Sequence, residues 1–407
     1  MEKLFTMKTE TKTTWQKVKF KDFADTSQSV KLERGKEYPF IPMDVVDGQY
    51  KFPLEVKHKR FSGGGAKFAN GDTIFARITP CLENGKIAMV KGLEEGIGFG
   101  STEFFVFRGK DGVSDSDFVY YLSRTDTIRD PAVKSMVGAS GRQRADKTVV
   151  DNVQIVAPDL PQQKQIADIL STYDDLIENN TKRIKILEQI TQTIYREWFV
   201  YFRFPGHEKV KMVDSKTEFG KIPEGWKIGK LSDLAKVIMG QSPSSDFYNE
   251  VGEGLPFHQG VTNFGFRFPT TFIYSTAGTR KASTNDILFS VRAPVGRINV
   301  ANRNIIIGRG LAAIQSVSGH QSHLLYDLKH IFQTEDLIGG GAIFASVTKD
   351  DLNNFPVVVP ELEIIERFES VVRQIDQLIL NTSRELSISR SSRDLLLPKL
   401  VTGEISV

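Results

Sequence analysis

From Gln162 to Phe199 the chain has no glycine and no proline, and one stripe of residues recurs at steps alternating between four and three. The stripe is Ile166, Leu170, Tyr173, Ile177, Asn180, Ile184, Leu187, Thr191, Ile194 and Trp198. Such steps give the 3.5-residue period of a helix packed along a partner helix. A helix of ~35 residues rises 1.5 Å per residue and is ~50 Å long. One apolar stripe on a rod of that length needs a second stripe to cover it. The chain supplies one 202 residues later, at Phe368, Val372, Ile375, Ile379, Thr382, Leu386, Ser389, Arg393, Leu396 and Leu400. Ser389 and Arg393 weaken its last third. Asn180 and Thr382 are polar seam positions of the kind that fix register at some cost in stability. Pro398 is expected to end or kink the second helix. The alternative is that each helix packs only on its own globular domain.

The remainder of the chain repeats as well. Trp15, Lys19 and Asp22 match Trp226, Lys230 and Asp233 in similar frames, with the two tryptophans 211 residues apart. Tyr38-Pro39-Phe40 falls on Leu255-Pro256-Phe257, and GDTIFARITP at 71–80 falls on NDILFSVRAP at 285–294. Val153–Pro158 falls on Phe355–Pro360. The order is kept and the offset drifts slowly, as differing loop lengths require. The segments before each long helix are rich in glycine, phenylalanine and short apolar runs, which predicts strand-rich α/β domains. The fold class is therefore α+β: two similar mixed α/β domains joined by two long antiparallel coiled-coil helices, with pseudo-two-fold internal repetition. Two dissimilar heads held at a set spacing suit a split, asymmetric sequence on DNA, whose local two-fold symmetry such a protein matches.

Composition narrows the reading without deciding it. Net charge is only +3 and the lone cysteine is Cys81. A single thiol cannot form an internal disulfide, so a cytoplasmic location is expected. The first residues lack the apolar region of a signal peptide, and no apolar run approaches the ~20 residues of a membrane span.

Four motifs together resemble the specificity subunits of type I restriction–modification systems. Asp394-Leu395-Leu396-Leu397-Pro398-Lys399-Leu400-Val401-Thr402-Gly403-Glu404-Ile405 is similar to their C-terminal signature. Ile222-Pro223-Glu224-Gly225-Trp226-Lys227 resembles the lead into their second target-recognition domain. Pro158-Asp159-Leu160-Pro161-Gln162-Gln163 and Glu197-Trp198-Phe199-Val200-Tyr201-Phe202 resemble the two ends of their central conserved helix. Two departures stand out: copy one lacks Pro-Glu-Gly before Trp15, and the second helix starts without the proline and glutamines of the first. On this resemblance the segments are an N-terminal arm at 1–14, target-recognition domain 1 at 15–158, the central helix at 159–203 and a linker at 204–225. Target-recognition domain 2 follows at 226–360, the C-terminal helix at 361–398 and a tail at 399–407. The resemblance implies double-stranded DNA and two modification subunits as partners, joined by restriction/translocase subunits where the system cleaves. It implies no cofactor in this chain, with S-adenosylmethionine, ATP and Mg²⁺ in the partner subunits, and no catalytic residue or metal here. A specificity subunit of another restriction class and a tether that ignores DNA are the alternatives of similar shape.

The residues agree with a binder. There is no phosphate-binding Gly-x-x-x-x-Gly-Lys-[Ser/Thr] loop; Gly63-Gly64-Gly65 and Gly339-Gly340-Gly341 read as turns. His320 and His323 could share a helix face but lack further ligands at metal spacing. Asp47, Glu55 and Lys57 have the spacing of a metal-dependent nuclease core, although Pro53 interrupts the strand that would carry them. Candidate DNA contacts are basic and amide side chains. In copy one these are Lys57, His58, Lys59, Arg60, Lys67, Arg77, Lys86 and, after a mobile-looking glycine loop, Arg142, Gln143 and Arg144. In copy two they are His258, Gln259, Asn263, Arg267, Arg280, Lys281, Arg292, Arg297, Arg303 and Arg309. Arg77 and Arg292 fall one residue apart in the aligned strands, so alternation points them to opposite sides.

Overall fold

The computed structural model describes residues 15–27, 29–333 and 346–407; the expected arm at 1–14 and Gly339-Gly340-Gly341 lie outside them. The chain forms two compact units, Met1–Lys182 with Ser383–Val407, and Arg183–Thr382. Each unit holds one head together with a stretch of both long helices, which run over Leu160–Tyr195 and Leu362–Val401.

The two heads share a topology. In the first, one sheet has the order Ala24–Asp25, Phe104–Gly109, Thr73–Ala76, Ile87–Met89, and a second has Lys57–Arg60, Glu37–Ile41, Ile97–Gly100, Lys67–Ala69. In the second head the corresponding orders are Ala235–Met239, Leu311–Ser316, Ile287–Ser290, Ile298–Val300, and Tyr274–Ser275, Leu255–His258, Ile305–Ile307, Lys281–Ala282, with Tyr248–Asn249 added beyond Tyr274–Ser275. Thr73–Ala76 and Ile287–Ser290 are buried at every position, and apart from Thr73 and Ser290 they are apolar, because both faces of these strands are covered. Phe75 enters the larger core of its unit while Ile74 and Ala76 enter the smaller one. Phe289 and Leu288 divide in the same way. The aspartate before each strand accepts a hydrogen bond from the backbone N–H three residues earlier, Asp72 from Ala69 and Asp286 from Ser283, both at 2.7 Å. The matched Pro80 and Pro294 both follow cis peptide bonds.

Strand register reproduces the repeat residue by residue. Gln16 pairs with Ala157 in the first unit, and Lys227 pairs with Val359 in the second. These are the pairs that offsets of 211 and 202 connect.

Within each unit the two helix stretches run antiparallel. In the first, Ile166 and Leu170 share a core with Leu397, Leu400 and Val401, and Arg393 reaches Asp174 further along. In the second, Tyr195 and Trp198 pack on Phe368, with ring centroids 6.1 and 5.9 Å apart, while Glu188 and Asp376 meet at Arg267. The heads also pack on these helices, so the helices both pair and dock. Of the expected seam, Ile166, Leu170, Ile177, Asn180, Ile184, Phe368, Val372, Ile379 and Thr382 are buried, while Ile375 and Leu386 are half-buried. Tyr173 and Leu187 are also only half-buried, and the acids Asp174 and Glu188 take the buried places beside them. A helix has 3.6 residues per turn, so a stripe counted at 3.5 drifts by ~20° per heptad. The buried face instead returns every eleven residues, at Ile166, Ile177, Glu188 and Phe199.

Pro398 does not end the second helix, which continues to Val401. It sits on the exposed side one turn from the end, so the hydrogen bond its missing N–H removes is one in the last turn only. The last residues close onto the first head. Gly403 has φ +79°, and a Cβ there would lie 2.9 Å from the Trp15 ring. At the other end, Gln163 clasps the first head: its amide donates to Val113 O and Pro158 O and its oxygen accepts from Asp115 N–H.

Candidate functional site

In the first head the basic run forms a sheet edge. Lys57–Arg60 pairs with Glu37–Ile41 on one side only, and all four side chains are exposed. Lys59 Nζ lies 4.8 Å from the Phe40 ring centroid, Lys57 Nζ is 3.5 Å from Asp44, and His58 is 3.3 Å from Glu94. Lys67 lies over Phe61 at 5.4 Å. Charges along an edge also block pairing with another strand, but that role does not require them on both faces.

Arg77 and Arg144 converge on one carboxylate. Glu103 accepts from Arg144 at 2.7 Å and from Arg77 at 3.2 Å. The Arg144 fork holds the Glu103 carboxyl below the ordinary range against the opposing effect of burial, and Arg77 assists. The segment carrying Arg142 and Gln143, expected to be mobile, is a pinned hairpin. Val137 and Arg144 exchange backbone hydrogen bonds of 3.1 and 2.9 Å, and Gln143 O accepts from Thr79 N–H. Arg142 stands exposed at its turn, and Lys86 donates to Met43 O.

The second head differs at the equivalent place. Arg77 N–H donates to Glu103 O, and Val291 N–H donates to Gly310 O, both at 3.0 Å. Gly310 is therefore the counterpart of Glu103, and a carboxylate in one head is replaced by bare backbone in the other. Three chain segments close in around it: a Cβ on Gly240, Gly308 or Gly310 would lie 2.2–2.7 Å from an oxygen. On this tight crossing the exposed Gln259 accepts from Ser242 Oγ at 2.7 Å, and Ser242 Oγ accepts from Arg309 N–H at 3.2 Å. Asn263 is half-buried, while Arg280, Lys281, Arg292, Arg297, Arg303 and Arg309 are exposed. Arg292 bridges Ser346 whereas Ile78 bridges Arg144, so the counterpart of Arg292 is Ile78 and not Arg77.

Two expected contacts point inward. Arg267 is 5% exposed and donates to Glu188 at 2.5 Å, Asp376 at 2.6 Å and Tyr326 at 2.7 Å, so it is not available to a duplex. Burial alone would raise the Glu188 carboxyl, yet Arg267 and Lys329 hold it below its usual range. His258 is buried, and burial lowers its pKa to about 4 with the charge of Arg303 adding to the shift. The acids that bind Arg267 were missed in the sequence because they flank the counted stripe. For Asp376 a signal was present: it lies 202 residues from Asp174, the acid that binds Arg393, which is the offset of the stripes themselves.

Two sets of chemically reactive residues are not assembled. Glu55 lies outside the strand that starts at Lys57, Asp47 accepts from Gln49 N–H, and Lys57 turns to Asp44. His320 bonds Ser318, whereas His323 is buried on Phe199 and burial pushes its pKa to about 3. No group of three or more His, Cys, Asp and Glu placed to hold a metal occurs among the described residues.

One buried acid in the second unit gives its stability an expected dependence on pH. Tyr195 Oη donates to Asp327 Oδ1 at 2.6 Å, while Asp327 Oδ2 is buried with no hydrogen bond. Burial raises the Asp327 pKa to about 6, opposed by the bond from Tyr195. Its ionised form is thus penalised above pH 6, and the penalty is relieved as pH falls toward the unfolded value. The difference from an ordinary carboxyl is about 3 kcal/mol. Asp327→Asn should remove this dependence, so the stability of the native chain relative to the variant should rise as pH falls from 7 to 4. Paired urea titrations at the two pH values check this; equal shifts in both proteins would show that Asp327 is not the responsible group.

The comparisons agree with the geometry. The profile of the family described as type I restriction modification DNA specificity domain matches residues 12–189 and 223–386. A Methanocaldococcus jannaschii protein provisionally named the specificity subunit of the type I restriction enzyme MjaX is 33% identical over 83% of this chain and 79% of its own length. The Haemophilus influenzae type I restriction enzyme HindI specificity subunit is 25% identical over 89% of this chain and 93% of its own. The crystal structure of a type I restriction–modification system S subunit from M. genitalium shares the fold, with a TM-score of 0.56 and 16% identity over 97% of this chain and 98% of that one. With two matched copies covering most of its length and two heads of one topology, the chain belongs to the type I restriction modification DNA specificity family and is a DNA-recognition subunit, not an enzyme.

Proposed function

We propose that each head reads one half of an interrupted, asymmetric DNA site, and that the two long helices set the interval between the halves. The observation that carries this is the pair of equivalent positions Glu103 and Gly310. One strand end organises Arg77 and Arg144 in the first head, and Gln259 and Arg309 in the second. Arginine and glutamine are suited to guanine and adenine edges, so heads of one topology would read different bases. The basic edge Lys57–Arg60 supplies phosphate contacts to the first head alone, since the matching edge of the second is covered by Tyr248–Asn249.

Two modification subunits dock on the outer faces of the helices and methylate adenine. Support comes from exposed apolar residues that repeat. Ile169, Leu176, Ile388 and Leu395 are exposed in the first unit, and Ile186, Ile190, Val371 and Leu378 in the second. The pairs Ile169 and Val371, Leu176 and Leu378, and Ile186 and Ile388 each lie 202 residues apart. Exposed apolar patches mark interaction surfaces, and a repeated set suits two copies of one partner. S-adenosylmethionine, ATP and Mg²⁺ belong to the partner subunits. No described helix is long and apolar enough to cross a membrane, and with its single thiol the protein works in the cytoplasm.

Sequencing methylated adenines in DNA from cells that carry this protein and its modification partner should return one interrupted motif. Exchanging residues 226–360 for another head should alter one half of it. A change in both halves would refute independent reading.

A further inference from the structure

Each unit contains a buried polar joint between its head and a long helix, and the two joints are related by the repeat. In the first unit Tyr121 Oη donates to Asp174 Oδ2 at 2.6 Å, and Arg393 Nη1 donates to Asp174 Oδ1 at 2.7 Å. In the second, Tyr326 Oη donates to Asp376 Oδ1 at 3.1 Å, and Arg267 Nη2 donates to the same oxygen at 2.6 Å. Each tyrosine is the sixth residue of its head helix, Ser116–Arg124 or Gln321–Gln333. The arginines have no such kinship: Arg393 stands on the second long helix, and Arg267 on a head loop. The tyrosine–aspartate pair is repeated, and an arginine from an unrelated place completes it each time. In the second unit that arginine also bonds Glu188, so one guanidinium joins the head to both helices.

Buried ion pairs add little net stability beyond what apolar packing would give, but charge-assisted forks accept only a narrow range of orientations. Apolar packing alone tolerates small slides; a planar guanidinium held between two carboxylates does not. We infer that Arg267, which ties its head to both helices, and Arg393, which donates to Gln49 O of the first head at 3.0 Å as well as to Asp174, are positioning residues that hold each head at one angle on the helices, and thereby restrict the gap between half-sites that the protein accepts. This rests on the reading of the chain as a two-headed DNA reader. Adding one base pair to the gap moves the second half-site by about 3.4 Å along the duplex and also rotates it, so small freedom in a head relaxes the choice.

The test uses the full complex with its modification subunits and synthetic duplexes built on the motif found by methylation sequencing. Both halves are kept and the gap is native, one base pair shorter or one longer. Arg267→Lys keeps the charge but loses the fork, and Tyr326→Phe removes one hydroxyl. We expect the preference for the native gap to fall by about tenfold in Arg267→Lys, and by less in Tyr326→Phe, with the motif bases unchanged. A fall in rate that is proportionate at every gap would overturn the inference, because that is what plain loss of folded protein produces. Should Arg267→Lys yield no complex, the same ratio measured on Tyr326→Phe decides. Absence of any interrupted motif in the unsubstituted complex would instead refute the two-headed reading, and is seen before any variant is made.

Discussion

Arg393→Ala should destabilise the first unit by about 3–5 kcal/mol, because it strands a buried carboxylate. Arg393 is 1% exposed, and Asp174, its partner, is equally enclosed. The guanidinium also donates to Gln49 O and to the Asp394 carboxylate, so truncation leaves a backbone carbonyl without its donor as well. Neutralising both sides, as in Arg393→Met with Asp174→Asn, should recover most of the loss, since asparagine can still accept from Tyr121. The comparison separates the cost of an unpaired charge from the worth of the pair. Urea titration with hydrogen exchange over residues 15–182 and 383–401 reads the effect. A loss below about 1 kcal/mol, the size found for exposed pairs, would show that the pair is hydrated in solution.

The second large effect concerns affinity without stability. Replacing Lys57, Lys59 and Arg60 together by glutamine should weaken duplex binding roughly 10- to 100-fold and lower the salt dependence by about one phosphate per cation removed. The strand is a sheet edge with every side chain exposed, so no core contact is lost and the melting temperature should stay nearly constant. The methylated motif should keep its bases, because phosphate contacts position a protein and do not read sequence. An unchanged salt slope would place the duplex on another face of the first head. His58 is left in place so that only fixed charges are altered.

The expectations that failed share a cause. Arg267 stood in the chain beside Asn263 and among exposed arginines, with nothing local to distinguish it. Its fate depends on Glu188 and Asp376, which lie 79 and 109 residues away. Arg393 read as a defect in an apolar stripe because its acid, Asp174, is 219 residues distant and just off the counted seam. The glycine loop before Arg142 read as mobile because its ties to Ile78 and Thr79 are backbone bonds, which leave no mark on residue type.

Other features were legible because they are local or periodic. Two long helices follow from spacing within each, the repeat from collinear matches, and membership in the family from four short motifs with their own roles. Gln163 clasps the head it leaves, and Gly403 admits the ring of Trp15. The amino-acid sequence by itself thus determined that the chain is two heads and two rods, and what kind of protein that makes. Tertiary structure alone decided which charges face water and which are locked inside, because a helix turns at 3.6 residues and not 3.5, and because a buried charge is sited by partners that only folding brings near.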